Sequence, residues 1–192
     1  MGRPLFTNAT QLKQSEILEE VVRAAQRLSQ NRGGALVVLA RDNRLEDQVE
    51  GGVPIDSVVN REMLAAIFQP TSPLHDGAAV IQDGRIAQAR CVLPLTQRAG
   101  LPEGVGTRHR AAVGVTEETD ALVVVVSEET GQIALSSRGE LFPALDPPRL
   151  RDMLRDFMAA SPVASEEAEE PAEAREEKGK PSAGAADAPT PS

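Results

Sequence analysis

The sequence has few of the residues that mark several common classes of protein. Its 192 residues include one cysteine and four phenylalanines, and they include no tryptophan or tyrosine. One cysteine excludes an intramolecular disulfide framework and a multi-cysteine zinc site, and it favours a reducing compartment. No run approaches the roughly 18 apolar residues of a membrane span, and the N-terminus shows no secretory signal. We therefore expect this chain to be soluble and cytoplasmic.

Basic residues are also in short supply, and the charge is unevenly distributed. The formal net charge is −9, which argues against nucleic acid as a partner. Residues 161–192 contain eight acidic and three basic side chains, with Val163 as their only large aliphatic residue. Such a segment buries too little apolar surface to offset the cost of ordering its backbone. We predict a folded domain over residues 1–160 and a disordered acidic tail over residues 161–192, with an interaction tail as the alternative.

The apolar pattern predicts an α/β (or α+β) fold, in which a mixed central β-sheet is flanked by helices on both faces. Residues 35–40 and 121–126 are unbroken apolar runs, typical of strands that are buried on both faces. Further strands are predicted at residues 78–81, 86–93 and 132–136, and helices at residues 12–30, 61–68 and 111–117 and after Pro147-Pro148.

Common nucleotide-binding signatures are missing. The chain has no Gly-x-x-x-x-Gly-Lys-Ser/Thr loop and no Gly-x-Gly-x-x-Gly fingerprint, and Lys13 is the only lysine outside the tail. Kinase and P-loop functions are therefore excluded. Cys91 lies among apolar strand residues, so a buried inert thiol is favoured over a nucleophile there.

Three polar clusters adjoin the predicted strands, where ligands tend to bind in such sheets. They are Pro-Leu-His-Asp-Gly-Ala at residues 73–78, Gly-Thr-Arg-His-Arg at residues 106–110, and Ser-Glu-Glu-Thr-Gly at residues 127–131. Both histidines of the protein, His75 and His109, lie within these clusters. The clusters are therefore the candidate functional segments.

Each cluster has a plain structural interpretation beside a chemical one. Arg108 and Arg110 at a helix start suit a polyphosphate, or they pair with surface carboxylates. Asp76 precedes a glycine that would allow close approach of a ligand, or it belongs to an ordinary Asp-Gly turn. Glu128 and Glu129 are metal ligands or a solvated strand end. Together, two arginines and a group of carboxylates are what metal-assisted transfer on a nucleoside triphosphate requires.

The motifs and their spacing resemble the diadenylate cyclase (DAC) domain. The runs PLHDGAAVI and GTRHRAAVGVTEETDALVVVVSEETG carry the resemblance, with Arg108 32 residues and Glu129 53 residues after Asp76. The similarity covers residues 12–137. It is strongest to the membrane-anchored type, whose catalytic domain lies in the cytoplasm after three membrane helices that this sequence does not contain.

The resemblance implies condensation of two ATP molecules into cyclic di-AMP, with Mn²⁺ or Mg²⁺ as cofactor. It assigns the metal to Asp76 and Glu129, with His75 as an additional ligand, and it gives Asp76 a part in deprotonating the ribose 3′-hydroxyl. Gly77 and Ala78 would let the nucleotide pass close to the main chain. The triphosphate would be held by Thr107, Arg108, His109 and Arg110, with Ser127 on a phosphate and Glu128 beside the metal site.

One position departs from the family pattern. Many relatives carry a tyrosine after the strand cysteine, where its ring stacks on adenine, and this chain has Val92. Adenine would then rest on Val92 and Leu93 or on Phe68. Weaker affinity or selectivity for the base is expected.

Symmetry of the product implies a homodimer, because two facing sites are needed for each ATP to attack the other. Two other functions stay open: a catalytically silent nucleotide sensor of the same fold, and an interaction protein that acts through its acidic tail. Family resemblance adds a membrane regulator and a phosphoglucosamine mutase as partners.

Overall fold

The described part of the chain comprises residues 6–41, 45, 47–102 and 104–160 of a computed structural model. The helices are α1 (Phe6–Gln30), α2 (Arg61–Ile67), α3 (Thr107–Glu118) and α4 (Pro147–Ala159). The strands are β1 (Ala35–Leu39), β2 (Glu50–Val58), β3 (Ala78–Gln82), β4 (Arg85–Val92), β5 (Leu122–Val126), β6 (Ile133–Ser137) and β7 (Glu140–Leu145). The predicted tail, residues 161–192, lies outside the described residues.

Seven strands of this part of the chain form one mixed sheet in the order β2-β4-β3-β1-β5-β6-β7. β1 pairs in parallel with β3 and antiparallel with β5, and the other neighbours are antiparallel. Every residue of β1 and β5 is buried. These two Val-rich runs are the centre of the sheet, as the unbroken apolar pattern predicts.

Helices cover both faces of the sheet. Val37 and Leu39 of β1 point into a core shared with α1, α2 and α4, whereas Leu36 and Val38 point into a second core shared with α3. This alternation follows from the period of two along a strand. The α/β class and the helices on both faces are confirmed.

Two strands, β2 and β7, are absent from the sequence prediction, and both lie at edges of the sheet. Most side chains of β2 and half of those of β7 are exposed, and neither strand shows a regular alternation. Each also contains a proline, Pro54 or Pro143, which a sheet tolerates at its edges. Partner strands rather than local pattern therefore define these two elements.

Local signals account for several helix boundaries. The side chain of Asn60 accepts a hydrogen bond from the Met63 amide at 2.7 Å and caps α2. Asp146 caps α4 by accepting from the Arg149 amide at 2.8 Å. α3 begins at Thr107, earlier than the predicted residue 111, so the arginine cluster lies in its first turn.

An ion pair joins α1 to α4 on one face of the sheet. Arg151 Nε donates to Glu19 Oε2 at 2.7 Å, and Arg23 donates to the other oxygen of Glu19 at 3.1 Å. The hydrogen bond from Arg151 is the largest influence on Glu19 and lowers the pKa of its carboxyl to about 2, against partial desolvation. Among the described residues, no helix has the length and apolar character needed to cross a membrane.

Candidate active site

The predicted clusters meet at one end of the sheet. Ala35 at the start of β1 pairs with Val126 at the end of β5, and Val37 pairs with Ala79 of parallel β3. The starts of β1 and β3 and the end of β5 are therefore level with one another. Residues 75–77 precede β3 and residues 127–129 follow β5, so the first and third clusters flank the beginning of β1.

Arg108 brings the second cluster to the same place. Its Nη1 atom lies 2.7 Å from Glu128 Oε2, and its side chain is 21% exposed, against 60% for Glu128. Both charged groups lie against Gly34, which directly precedes β1. A Cβ atom at Gly34 would lie 2.8 Å from Arg108 Nη1 and 2.8 Å from Glu128 Oε2. The guanidinium is thus held at the sheet end by a carboxylate and by the lack of a side chain beneath it.

His109 is buried in the first turn of α3. Its Nδ1 atom accepts a hydrogen bond from the Gly106 amide at 3.3 Å, so the proton of the neutral ring is on Nε2. Burial lowers the pKa of His109, and the nearby negative charge of Glu129 acts in the opposite direction. The neutral ring therefore stabilises the start of α3, and the Glu129 carboxylate lies within its electrostatic reach.

Ser127 organises the turn that carries both glutamates. Its Oγ accepts from the Thr130 amide at 3.2 Å, and its carbonyl accepts from the Gly131 amide at 2.8 Å. Ser29 of α1 donates to the Gly131 carbonyl at 2.6 Å and ties the turn to the helix. The hydroxyl proton of Ser127 is not used in that turn, so the group can still donate to a ligand oxygen.

Asp76 and Gly77 lie on the other side of β1. The carboxylate of Asp76 is exposed, and Gly77 has a φ of 137°. A Cβ at Gly77 would lie 2.8 Å from the Arg90 carbonyl carbon and 2.8 Å from the Cys91 carbonyl oxygen. The main chain of β4 therefore requires glycine here; passage of a nucleotide beside Gly77 and Ala78 stays a prediction.

The predicted metal ligands offer suitable donors. His75 Nδ1 lies 2.6 Å from the Ser72 carbonyl, to which it must donate, so the Nε2 lone pair of the neutral ring is available. Asp76 and Glu129 supply exposed carboxylates, the ligands that Mg²⁺ and Mn²⁺ prefer.

These donors are not gathered at one point. Asp76 adjoins β3 and Glu129 follows β5, and two inter-strand spacings, roughly 10 Å, separate those strands. No group of three or more potential metal-binding side chains occurs within the described ranges.

The predicted adenine surface is narrower than expected. Val92 is 61% exposed, whereas Leu93 and Phe68 are 6% and 1% exposed and belong to the two cores. The ring of Phe68 is thus not accessible to a base, and the expectation that it could support adenine is corrected. Cys91 is buried, as expected, and burial raises the pKa of its thiol to about 11.

Thr107 and Arg110 differ in their surroundings. The side chain of Thr107 is exposed at the start of α3. Arg110 instead donates from Nη2 to the Thr96 carbonyl at 2.8 Å, within the segment that follows β4. Arg108 therefore lies at the sheet end beside Glu128, Thr107 is exposed, and Arg110 bonds to the segment that follows β4.

Sequence reasoning missed Gly34. In the sequence, the Gly33-Gly34 pair indicates only the end of α1, and Gly33 indeed donates to the Leu28 carbonyl at 2.8 Å. The available signal is the position of Gly34, immediately before a buried central strand, where a side chain would project into a ligand site.

Comparisons with known proteins point to one family. The profile of the DAC family, described as "DisA bacterial checkpoint controller nucleotide-binding", matches residues 22–141. The chain is 40% identical over 141 residues to the cyclic di-AMP synthase CdaA of Bacillus subtilis, covering 73% of this chain and 52% of that protein. It is 41% identical over 142 residues to a diadenylate cyclase of Listeria monocytogenes, covering 74% of this chain and 52% of the relative.

The fold is shared as well. A crystal structure of a DacA double mutant from Staphylococcus aureus superposes with a TM-score of 0.72 at 37% sequence identity. The superposition covers 77% of this chain and 98% of the DacA chain. By contrast, the chain spans about half the length of these Bacillus subtilis and Listeria monocytogenes relatives.

Proposed function

The chain belongs to the diadenylate cyclase (DAC) family, and on that basis we propose that it condenses two molecules of ATP into cyclic di-AMP and releases two pyrophosphates. The observation that carries the proposal is the Arg108–Glu128 pair at 2.7 Å, seated on Gly34 at the sheet end where Asp76 also lies. The guanidinium of Arg108 and the carboxylate of Asp76 lie on opposite sides of the start of β1. They suit the two requirements of nucleotidyl transfer, which are stabilisation of charge on the phosphates and removal of a proton from the attacking hydroxyl.

We assign binding of the triphosphate to α3 and to the turn after β5. The first turn of a helix presents free amide groups and a positive dipole end, which attract the triphosphate. Arg108 adds a guanidinium that neutralises charge on the leaving pyrophosphate, and Thr107 and Ser127 add hydroxyl donors. The exposed Val92 provides the surface against which adenine rests.

We assign removal of the 3′-hydroxyl proton to Asp76. As the 3′-oxygen of one ATP forms a bond to the α-phosphorus of the other, the bond to the β-phosphate breaks and pyrophosphate departs. The 3′-hydroxyl proton passes to the Asp76 carboxylate, which is exposed and able to accept it. A divalent cation, Mg²⁺ or Mn²⁺, would supply positive charge at the phosphates. Asp76 and His75, which are neighbours in the chain, would hold it, and Glu129, on the other side of β1, would have to move towards them to complete the predicted site.

The product requires two copies of the chain. Cyclic di-AMP contains two equivalent 3′–5′ links, whereas one site with one ATP presents one donor and one acceptor. An isologous dimer that brings two sheet ends face to face lets each ATP attack the other. We therefore propose that the monomer binds ATP and that the homodimer carries out the chemistry.

The family supports further proposals about setting and partners. These are a cytoplasmic site of action, as in relatives whose catalytic domain follows membrane helices, and regulation by a membrane protein and a phosphoglucosamine mutase. The second candidate function is a silent nucleotide sensor of the same fold, against which the presence of both Asp76 and Arg108 argues.

The direct test is incubation of the purified chain with ATP and Mn²⁺ or Mg²⁺, followed by chromatography and mass spectrometry for cyclic di-AMP. We expect product from the wild type and a loss of about 100-fold or more in Asp76→Asn, the usual scale for removing a general base. ATP binding without product, by calorimetry, would support the silent sensor instead.

Asp83→Asn is the matched control. Asp83 precedes Gly84 as Asp76 precedes Gly77, but it lies at the opposite end of β3 and has a φ of 51°, which asparagine tolerates. We expect this variant to keep wild-type activity. Equal activity in Asp76→Asn and the control would contradict the assigned role of Asp76.

A further inference from the structure

Residues 94–98, which we term the strap, follow β4 and lie on the surface of α3. Arg110 of α3 makes two hydrogen bonds to the main chain of the strap. The Thr96 amide donates to the Arg110 carbonyl at 3.1 Å. In return, Arg110 Nη2 donates to the Thr96 carbonyl at 2.8 Å. Thr96 is 2% exposed and Arg110 is partly buried, so this reciprocal pair is partly shielded from solvent.

The strap lies directly against the main chain of α3. A Cβ added to Gly114, one helical turn after Arg110, would overlap the Pro94 carbonyl oxygen and lie 2.8 Å from the Thr96 amide nitrogen. Only a glycine leaves room for such an approach of backbone to helix.

Further along α3, the strap is anchored by side chains. Thr96 Oγ1 donates to Glu117 Oε1 at 2.8 Å and accepts from the Arg98 amide at 3.1 Å. Arg98 Nη1 in turn donates to the Gly139 carbonyl at 2.7 Å, in the turn between β6 and β7. The strap is therefore fixed from Arg110 to Glu117 and to the neighbouring hairpin.

The position of the strap gives this anchoring a consequence for the site. Its residues follow directly after the buried Leu93 and lie two positions beyond Val92, the surface proposed for adenine. α3 starts with Thr107 and Arg108, proposed for the triphosphate. The Arg110–Thr96 bonds thus set the separation between the two halves of the nucleotide site.

We propose that Arg110 is a positioning residue, which acts through Thr96 to hold the adenine surface and the phosphate-binding turn in register, and that it is not a phosphate ligand. This inference rests on the proposed function, and it revises the role that the sequence motif implies for Arg110. Arg108 remains the phosphate-binding arginine of the pair.

A positioning residue and a phosphate ligand affect the affinities for ATP and AMP differently. We would measure dissociation constants for ATP and AMP by calorimetry, using the full chain carrying Arg110→Ala or Arg108→Ala. Loss of register should weaken both ligands by similar factors, about tenfold, in Arg110→Ala. Loss of a phosphate ligand should weaken ATP about tenfold more than AMP, and this is expected for Arg108→Ala. The latter pattern in Arg110→Ala would overturn the proposal.

Thr96 offers a conservative pair that separates positioning from folding. Thr96→Ser keeps the hydroxyl bonds to Glu117 and Arg98, and Thr96→Val removes them at similar volume. A positioning role predicts that the KM for ATP rises in Thr96→Val and in Arg110→Ala and keeps its wild-type value in Thr96→Ser. A purely structural defect would lower the active fraction and leave KM unchanged, and that result would also count against the proposal.

Hydrogen–deuterium exchange of the ligand-free chain completes the test without any need for activity. We expect peptides that cover residues 94–98 to exchange faster in Arg110→Ala than in Arg108→Ala or the wild type. Failure of the wild type to bind ATP or form product would refute the proposed function alone. Equal exchange in all three proteins would refute the coupling of Arg110 to the strap.

Discussion

Replacement of Gly34 by alanine tests the geometry of the site at its most crowded point. The added methyl would lie 2.8 Å from both Arg108 Nη1 and Glu128 Oε2 and 2.9 Å from Arg108 Cζ. These atoms are the far ends of flexible side chains, so they can move aside without displacing the backbone. The substitution should therefore disturb the position of the guanidinium while leaving the fold intact.

Opposing contributions keep the stability change small. The Arg108–Glu128 pair includes a glutamate that is 60% exposed, so its loss costs at most about 1 kcal/mol. Gly→Ala substitution restricts the unfolded chain and contributes about 0.4–1 kcal/mol in the other direction. By contrast, a misplaced charged hydrogen bond to phosphate costs about 1.5–3 kcal/mol, which corresponds to a loss of roughly 10- to 150-fold in kcat/KM for ATP.

The assay combines steady-state cyclic di-AMP synthesis with thermal denaturation of the same preparations. Gly33→Ala is the matched control, because its methyl would meet Leu28 Cδ2 at 3.0 Å and no site residue. We expect activity within about twofold of wild type for the control and similar melting temperatures for all three proteins. A Gly34→Ala protein with undiminished kcat/KM would refute the claim that Gly34 holds Arg108 in its working position.

Four further predictions follow from the dimer, the adenine surface and two titratable groups. The rate should rise more steeply than linearly with enzyme concentration; strict proportionality at dilutions where the chain is monomeric would exclude a dimeric mechanism. Val92→Tyr should tighten ATP binding by about fivefold or more through base stacking, and unchanged affinity would argue against a stacking position there. Because the pKa of Glu19 falls to about 2 in the folded state, the stability from its pairing with Arg151 is present above pH 4.5 and is lost as the pH falls towards 2. Glu19→Gln should therefore melt lower than wild type at pH 7, and the difference should vanish near pH 2. The Cys91 thiol, with its pKa raised to about 11, should resist Ellman's reagent at pH 8 in the folded protein and react after denaturation.

The interior of the fold is readable from sequence because it depends on local pattern. The unbroken apolar runs of β1 and β5 predict their burial, and Pro147-Pro148 predicts the start of α4. The edge strands β2 and β7 have no such pattern, because exposed and partly buried side chains follow one another irregularly along them. Their existence depends on hydrogen bonds to β4 and β6, which lie elsewhere in the chain.

The candidate site divides in the same way. The polar clusters around Asp76, Arg108 and Glu128 stand out because charged residues adjoin apolar strands. Gly34 and Thr96 do not, since a glycine after a helix and a threonine in a loop fit many ordinary roles. Their importance comes from atoms that approach across the fold, such as the Arg108 guanidinium over Gly34 and the Arg110 guanidinium on the Thr96 carbonyl.

The central place of β1 has a consequence for how the protein folds. The groups at the sheet end come from distant parts of the chain and are aligned only because β1 pairs with both β3 and β5. The pairing of β1 with β3 and its pairing with β5 both close long loops, so these contacts cannot stabilise the sheet until distant segments of the chain have met. Separation of β1 from its neighbouring strands should therefore abolish ligand binding and cooperative stability together. Loss of activity would then measure unfolding of the whole sheet.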